Sequence, residues 1–206
     1  MKQLANLISY IFNPLWMPVY IFFLGVYTDP YLYAFFPREL MGLFVLILGI
    51  NVVAPGLSLL FMLRKGLISD LDVSDRRERL APYLLVLMYY VISYFMLRRT
   101  GVPVPTAILS MFLSVMAVLV VSMAINAYWK ISVHMMASGG LVGTFLAFFY
   151  MHGYSNPLLL CVLIAIAASV AASRIYLGRH TPAQVYAGFI GGVMISFWAI
   201  AGAWVI

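Results

Sequence analysis

The chain has 206 residues, of which 65% are hydrophobic and 9% are charged, and its mean hydropathy is +1.05. This composition excludes an ordinary soluble domain, which carries far more charge. The net charge of +6 does not indicate nucleic-acid binding, because the basic residues lie in short loops and form no stripe with interleaved aromatic residues. Anionic lipid headgroups are the expected partners. Cys161 is the only cysteine, which excludes a disulfide framework or a thiolate metal cluster within one chain.

Apolar runs follow one another along the whole chain, and each is close to the roughly 20 residues that a helix needs to cross a bilayer. We therefore predict an all-α integral membrane protein, a bundle of six or seven transmembrane helices in a single domain over residues 1–206. Pro14, Pro18 and Pro55 predict kinks in the first two helices, or a first helix that is partly re-entrant. The runs are 7–28, 40–63, 81–98, 104–127, 133–151, 157–176 and 183–205.

Three polar loops, at 64–80, 128–133 and 174–182, emerge on the same side of a seven-helix bundle. The positive-inside rule counts nine basic residues on that side against three opposite, namely Arg38, Arg98 and Arg99, and would place it in the cytoplasm. If six of the nine bind an anion, the remaining counts are equal and the orientation is undecided. The polar residues gathered there are Arg76, Arg77, Arg79, Lys130, Ser132, His134, Arg174, Arg179 and His180.

The last of these loops reads Ser-Arg-Ile-Tyr-Leu-Gly-Arg-His-Thr-Pro-Ala-Gln from Ser173 onward. It resembles the third signature of the type 2 phosphatidic acid phosphatase (PAP2) superfamily, which is Ser-Arg, five residues, His, three residues, Asp. Arg174 and His180 match in identity and spacing, while Gln184 stands where the family has aspartate. The second family signature, Pro-Ser-Gly-His, is similar to residues 131–134, where the serine and histidine are kept.

The first family signature, lysine, six residues, Arg-Pro, is matched only loosely by residues 75–82. This segment is basic and ends in proline, but no lysine stands at the required distance. Arg79, and then Arg76, are the better candidates for phosphate binding. The resemblance covers about residues 75–190, which is the motif-bearing region of the predicted domain.

The resemblance implies that His180 attacks phosphorus to give a phosphohistidine. His134 would protonate the leaving group and later activate water, and Gln184 would support His180 in place of the family's aspartate. Imidazole suits both steps because its pKa lies near neutrality, and arginine forks neutralise the charge of a phosphoryl group in transfer. No cofactor is expected, and three histidines without an acidic cluster beside them predict no metal site. The expected phosphate-binding residues are Arg174, Arg79, Arg76, Ser132 and Lys130.

Several of these features have simpler interpretations. Thr181 and Gln184 also form a capping box with proline at the first helical position, so Gln184 could serve as a cap, as a support for His180, or as both. If the family's carboxylate is supplied from elsewhere, Asp75 and Glu78 are candidates. His152 lies on the opposite side, and we assign it no catalytic role. The glycine pairs 139/143 and 188/192 have the small-xxx-small spacing of helix packing in membranes.

The sequence thus predicts a metal-independent phosphatase that acts on a lipid phosphomonoester or pyrophosphate through a phosphohistidine. Polyprenyl pyrophosphate, phosphatidic acid, phosphatidylglycerol phosphate and a lipid A phosphate all fit. Two rivals stay open, a lipid phosphotransferase of the same fold and a non-catalytic transporter or binding protein for anionic lipids. The resemblance implies the cytoplasmic membrane, with the site toward its outer face, and the oligomeric state is undetermined.

Overall fold

The computed structural model describes residues 1–28, 39–99, 104 and 106–203, and within these ranges the regular structure is helical, with no strand. The predicted all-α class is confirmed. Within the described residues, seven helical segments are long and apolar enough to cross a membrane, and they match the seven predicted runs, so the chain is a multi-pass membrane protein. Arg38 and the last two residues of the seventh predicted run, 204–205, lie outside the described residues.

The α-helices are numbered here in chain order. They are α1 (Lys2–Ile11), α2 (Met17–Thr28), α3 (Glu39–Leu48), α4 (Ala54–Arg64), α5 (Leu80–Arg99), α6 (Thr106–Tyr128), α7 (Val133–His152), α8 (Pro157–Tyr176) and α9 (Pro182–Ala203). Contacts divide the chain into two compact units, which we call the terminal unit (Met1–Met17 and Ser110–Ile206) and the middle unit (Pro18–Leu109). Each unit is described by itself below, and the prediction of a single domain stays a prediction.

The first apolar run is broken, as its prolines predict. α1 ends at Ile11, and Asn13 is extended (φ −65°, ψ 141°) before the short 3₁₀-helix Pro14–Trp16. A residue that precedes proline is pushed out of the helical region by the proline ring. The Asn13 side chain then accepts a hydrogen bond from the backbone of Leu15 at 3.0 Å, which caps the new turn.

The second run is also irregular, and it carries a buried polar pair. Between α3 and α4 the chain forms a π-helical segment, Gly49–Val53, just before Pro55. Within it, fully buried Asn51 accepts a hydrogen bond from Ser93 of α5 at 2.9 Å. Inserted π turns of this kind redirect side chains inside a helix. In the middle unit the insertion turns Asn51 toward α5.

α7 is the central helix of the terminal unit, because 78% of its most apolar window is buried, against 28–44% for the other spans. It packs against α9 along the two predicted glycine pairs. A Cβ atom on Gly139 would overlap the backbone carbonyl of Phe189, and one on Gly192 would overlap that of Met136. Only glycine allows so close a backbone approach, so the predicted packing role is confirmed. A Cβ atom on either of the other two glycines of these pairs, Gly143 and Gly188, would also come too close to a backbone carbonyl.

Candidate functional site

The predicted site residues of the terminal unit gather at one end of its helices. Met135, Val170 and Val185 share one hydrophobic cluster, and each of these residues lies near the end of its helix. α7 and α9 begin at this end, and α8 finishes there. His134 is adjacent to Met135, Arg174 follows Val170 by one turn and Gln184 precedes Val185, so all three polar residues lie at the same end.

The connection from Arg174 to His180 has a defined helix-end geometry. α8 ends at Tyr176, and Gly178 adopts a left-handed conformation (φ 65°). The backbone N–H of Gly178 donates to the carbonyl of Ile175 (2.9 Å), and that of Arg179 donates to the carbonyl of Arg174 (3.1 Å), which is the Schellman pattern. The residues between Arg174 and His180 therefore comprise the last turn of α8, the glycine that ends it and the approach to α9.

Gln184 carries out both of the roles that its position suggested, through one atom. Its Oε1 accepts a hydrogen bond from the backbone N–H of Thr181 at 3.2 Å and lies 3.0 Å from Nδ1 of His180. Its own backbone N–H donates to the Thr181 hydroxyl at 3.4 Å, which completes a capping box. The cap and the contact with the histidine ring are thus a single feature.

This arrangement fixes the tautomer of His180. A backbone N–H can only donate, so the amide atom that faces Thr181 must be the oxygen of Gln184. An oxygen acceptor in turn requires that Nδ1 of His180 carries the hydrogen. The neutral ring therefore has its lone pair on Nε2. His180 is only 7% exposed, so the surrounding helices hold the ring in this orientation.

Asp75 and Glu78, the alternative sources of a carboxylate, are engaged within their own loop. Asp75 accepts a hydrogen bond from the backbone N–H of Arg77 at 2.9 Å and caps the 3₁₀-helix Arg76–Glu78. Glu78 accepts hydrogen bonds from the backbone N–H and the hydroxyl of Ser69 at 2.7 and 2.9 Å. Among the described residues, no group of three or more His, Cys, Asp or Glu side chains is arranged to hold a metal ion.

His134, which lies in the first turn of α7, contacts the N-terminal helix. Its Nε2 lies 3.2 Å from the backbone carbonyl of Ser9 in α1. Because a carbonyl can only accept, Nε2 carries the hydrogen in the neutral ring. His134 is 6% exposed. The third histidine, His152, is exposed at the other end of the same helix, and its Nδ1 lies 2.8 Å from the carbonyl of Phe148.

Ser132 is the N-cap residue of α7, but its hydroxyl does not cap the helix. The residue is fully buried, and within the described part of the chain its Oγ has no hydrogen-bond partner. A capping serine normally accepts a hydrogen bond from a first-turn N–H. The hydroxyl and the start of α7 are therefore available to an anion. Arg174, only 2% exposed, is held at the same end of the unit, whereas Lys130 is half-buried just after α6.

The first predicted motif lies in the middle unit. Arg79 is 3% exposed and donates from Nε to the carbonyl of Val73 at 2.9 Å, while Arg76 is half-buried in the preceding 3₁₀-helix. Val73 itself has a positive φ of 44°, which is rare for a β-branched residue and marks local strain. The loop thus fixes Arg79. A position for Arg76 and Arg79 beside His180 stays a prediction.

The C-terminal part of the chain, residues 126–205, matches the model of the PAP2 superfamily. This segment, somewhat under half of the chain, is therefore similar to the PAP2 superfamily. The match includes Ser132, His134, Arg174, His180 and Gln184, and it does not reach the loose first motif at 75–82. A search of curated proteins and a search of solved structures find no match. Since PAP2 proteins are generally phosphatases, the match supports hydrolysis of phosphate esters.

Two residues that shape the site in the terminal unit, Gly178 and Ser9, were missed from the sequence, and so was Val73, which holds Arg79 in the middle unit. Gly178 follows an apolar run, and a glycine there is a recognisable helix stop. Ser9 contributes a backbone carbonyl from a distant helix, and no sequence signal indicates such a contact. Val73 is conformationally unusual, and valine gives no sign of a positive φ.

Proposed function

We propose that this protein is a PAP2-type, metal-independent lipid phosphatase of the cytoplasmic membrane that acts through a phosphohistidine on His180. The observation that carries the proposal is the hydrogen bond between Nδ1 of His180 and Oε1 of Gln184. It leaves Nε2 of the ring with an unprotonated lone pair, which is what attack on phosphorus requires. The amide also keeps the ring from rotating as the covalent bond forms.

The charge around this ring suits a phosphoryl group in transfer. Arg174 offers a planar guanidinium held by its burial, Ser132 offers a buried hydroxyl, and α7 and α9 both point their positive ends toward this end of the unit. Such fixed donors stabilise the negative charge that spreads over the equatorial oxygens. We further propose that Arg76, Arg79 and Lys130 add to this charge when substrate is bound.

The acid for the leaving group would be His134. Nδ1 of its ring is the nitrogen that exchanges protons, because Nε2 is held by the carbonyl of Ser9. Protonated Nδ1 would donate to the departing oxygen, and the neutral ring would then take a proton from the water that attacks the phosphohistidine. The proton returns to His134 at the end of each cycle, so both half-reactions balance.

The setting favours an amphiphilic substrate. Arg174 lies in the last turn of one membrane-spanning helix and Gln184 in the first turn of the next. Tyr186 and Ile190 follow on α9 and are 65% and 60% exposed, so they form an outward apolar stripe beside the site. A lipid can place its phosphate at the helix ends and its chains along this stripe.

The test is phosphate release by detergent-purified protein from a panel of lipid phosphates, with EDTA in excess. We expect release by the wild type and its loss in His180→Ala. His152→Ala is the matched control, because it removes the exposed histidine at the opposite end of α7.

A ³²P-labelled substrate gives a second readout. The wild type should form an acid-labile protein phosphate that is absent from His180→Ala. Release that requires a divalent metal would overturn the metal-independent mechanism, and equal loss in both histidine variants would overturn the assignment of His180. No release with any lipid, but transfer to an added alcohol acceptor, would instead indicate the phosphotransferase.

A further inference from the structure

The C-terminal end of α1 contacts His134 through the backbone carbonyl of Ser9, and the sequence explains why this carbonyl is not used by the helix itself. The last four carbonyls of a helix lack partners within that helix. Here the carbonyl of Ile8 accepts from Phe12 (2.9 Å), and the N–H of Asn13 donates to Tyr10 (3.3 Å) rather than to Ser9. Pro14 causes this shift because it forces Asn13 into an extended conformation. The carbonyl of Ser9 is thereby left for the His134 ring at 3.2 Å.

α1 is firmly placed in this position. Ala5 and Ser9 are buried one turn apart on the same face of the helix, at 7% and 5% exposure. Ile8 and Phe12 pack against the cluster formed by Met135 and its neighbours in α8 and α9. The contact with His134 therefore belongs to a packed interface of the terminal unit.

The contact has two electrostatic consequences. A carbonyl acceptor on Nε2 fixes which ring nitrogen exchanges protons, as the second hydrogen bond of a histidine generally does. The C-terminal end of α1 also carries the negative end of its helix dipole, which favours a protonated ring and opposes the positive end of α7, in whose first turn His134 lies. Both effects suit a histidine that must hold a proton until the leaving group departs.

We propose that Ser9 is a positioning residue of the phosphatase site: its backbone carbonyl, freed by the Asn13-Pro14 break, orients His134 and stabilises its protonated form. This inference rests on the proposed function. It assigns to the N-terminal helix a part in leaving-group protonation. α1 lies outside the segment that matches the PAP2 family model, which begins at residue 126.

The sharpest test weakens the carbonyl of Ser9 and leaves every side chain in place. The α-hydroxy analogue of tyrosine at position 10 converts the Ser9–Tyr10 amide into an ester, whose carbonyl is a poorer acceptor. The matched control is the α-hydroxy analogue of leucine at position 7. Both positions are exposed in α1, and both esters remove one helical N–H.

The readout is kcat/KM for two substrates, a lipid phosphomonoester with an alkoxide leaving group and p-nitrophenyl phosphate, whose leaving group needs no protonation. We expect the ester at position 10 to lower kcat/KM for the lipid about ten-fold, part of the roughly 10²–10⁴-fold that general acid catalysis provides. The aryl phosphate should change less than about two-fold. A purely structural role would lower both values equally.

A second pair of variants uses ordinary mutagenesis. Pro14→Ala removes the constraint on Asn13, so that α1 can extend and the N–H of Asn13 can take the carbonyl of Ser9. It should show the same selective loss on the lipid. Pro18→Ala is its control, because Pro18 lies in the first turn of α2, where an N–H has no helical partner in any case.

The outcomes separate the two hypotheses. If the wild type hydrolyses neither substrate, the proposed function fails and this inference fails with it. If the wild type hydrolyses both, and the position-10 ester and Pro14→Ala lose both activities equally or lose neither, the positioning role of Ser9 is wrong and the phosphatase remains. Loss confined to the lipid substrate supports the inference.

Discussion

Gln184 offers the most direct test of how this site works, because the residue stands where the family has aspartate. Gln184→Glu keeps the length of the side chain and puts a carboxylate oxygen about where the amide oxygen accepts from His180 at 3.0 Å and from Thr181 at 3.2 Å. Gln184→Leu removes both hydrogen bonds at similar size. Gln184→Glu should therefore strengthen the hydrogen bond to the His180 ring, and Gln184→Leu should remove it.

The magnitudes follow from the kind of hydrogen bond. A neutral hydrogen bond contributes about 0.5–1.5 kcal/mol and one to a charged group about 1.5–3 kcal/mol, so Gln184→Glu should stabilise the imidazolium-like transition state by roughly 1 kcal/mol more. This corresponds to an increase of about five-fold in kcat/KM. Gln184→Leu frees the ring to change tautomer, and we expect a loss of about 10–100-fold, as for other hydrogen-bond partners that orient histidines.

The assay is kcat/KM for the best lipid phosphate, accompanied by thermal unfolding in detergent. Thr181→Ala is the control for the capping role, because it deletes the side-chain cap of Gln184 N–H and keeps the backbone N–H of Thr181. It should lower stability by about 0.5–2 kcal/mol and leave kcat/KM nearly unchanged. If Gln184→Leu behaves like Thr181→Ala, losing stability but not activity, then Gln184 is only a cap and the reasoning is refuted.

Two further predictions concern packing within each unit. Gly139→Ala should lower the unfolding free energy by about 1–3 kcal/mol, because its Cβ would overlap a backbone carbonyl of α9. Gly56→Ala is the control: a Cβ there lies in open space, so this variant should be neutral or stabilising. Equal shifts in unfolding temperature for the two variants would contradict the close approach of α7 and α9. The second prediction concerns the buried hydrogen bond between Asn51 and Ser93. Replacing the two residues by alanine, singly and together, should give a coupling energy of about 0.6 kcal/mol, and at most about 1.7 kcal/mol, in a double-mutant cycle. Strict additivity of the two substitutions would show that this hydrogen bond does not stabilise the middle unit.

Much of the fold could be predicted because its signals are local. The length of each apolar run predicts a span, and Pro14 and Pro18 predict the irregularity of the first one. The glycine pairs predict the α7–α9 packing because only small residues allow backbones to meet. The π-helical turn before Pro55 was predicted only as a kink, since the way in which a helix absorbs a proline depends on its neighbours.

The site was predictable where its residues are close in sequence. The segment from Arg174 to Gln184 is a helix stop followed by a helix cap, so spacing alone puts the arginine in the last turn of one helix and the histidine and the amide at the start of the next. The contact of His134 with Ser9 spans 125 positions and was not predictable, because it depends on how α1 packs. The strained backbone of Val73, which holds Arg79, likewise has no signature in the sequence.

The terminal unit places its chemistry at helix ends, and this follows from the problem of keeping charge next to a membrane. A helix end carries backbone groups that need partners, and in a bundle of apolar helices these ends are where polar groups can be satisfied. The beginnings of α7 and α9 favour an anion at Ser132 and His180, while the end of α1 favours a proton on His134 and the end of α8 favours the cation of Arg174. At Ser132, His180 and Arg174 the nearest helix end has the sign that the proposed reaction needs, whereas at His134 the end of α1 opposes the start of α7, in whose first turn this residue lies. The breaks at Pro14, Gly178 and Pro182 set these positions, so a change that lets a helix run on should impair catalysis before it impairs folding.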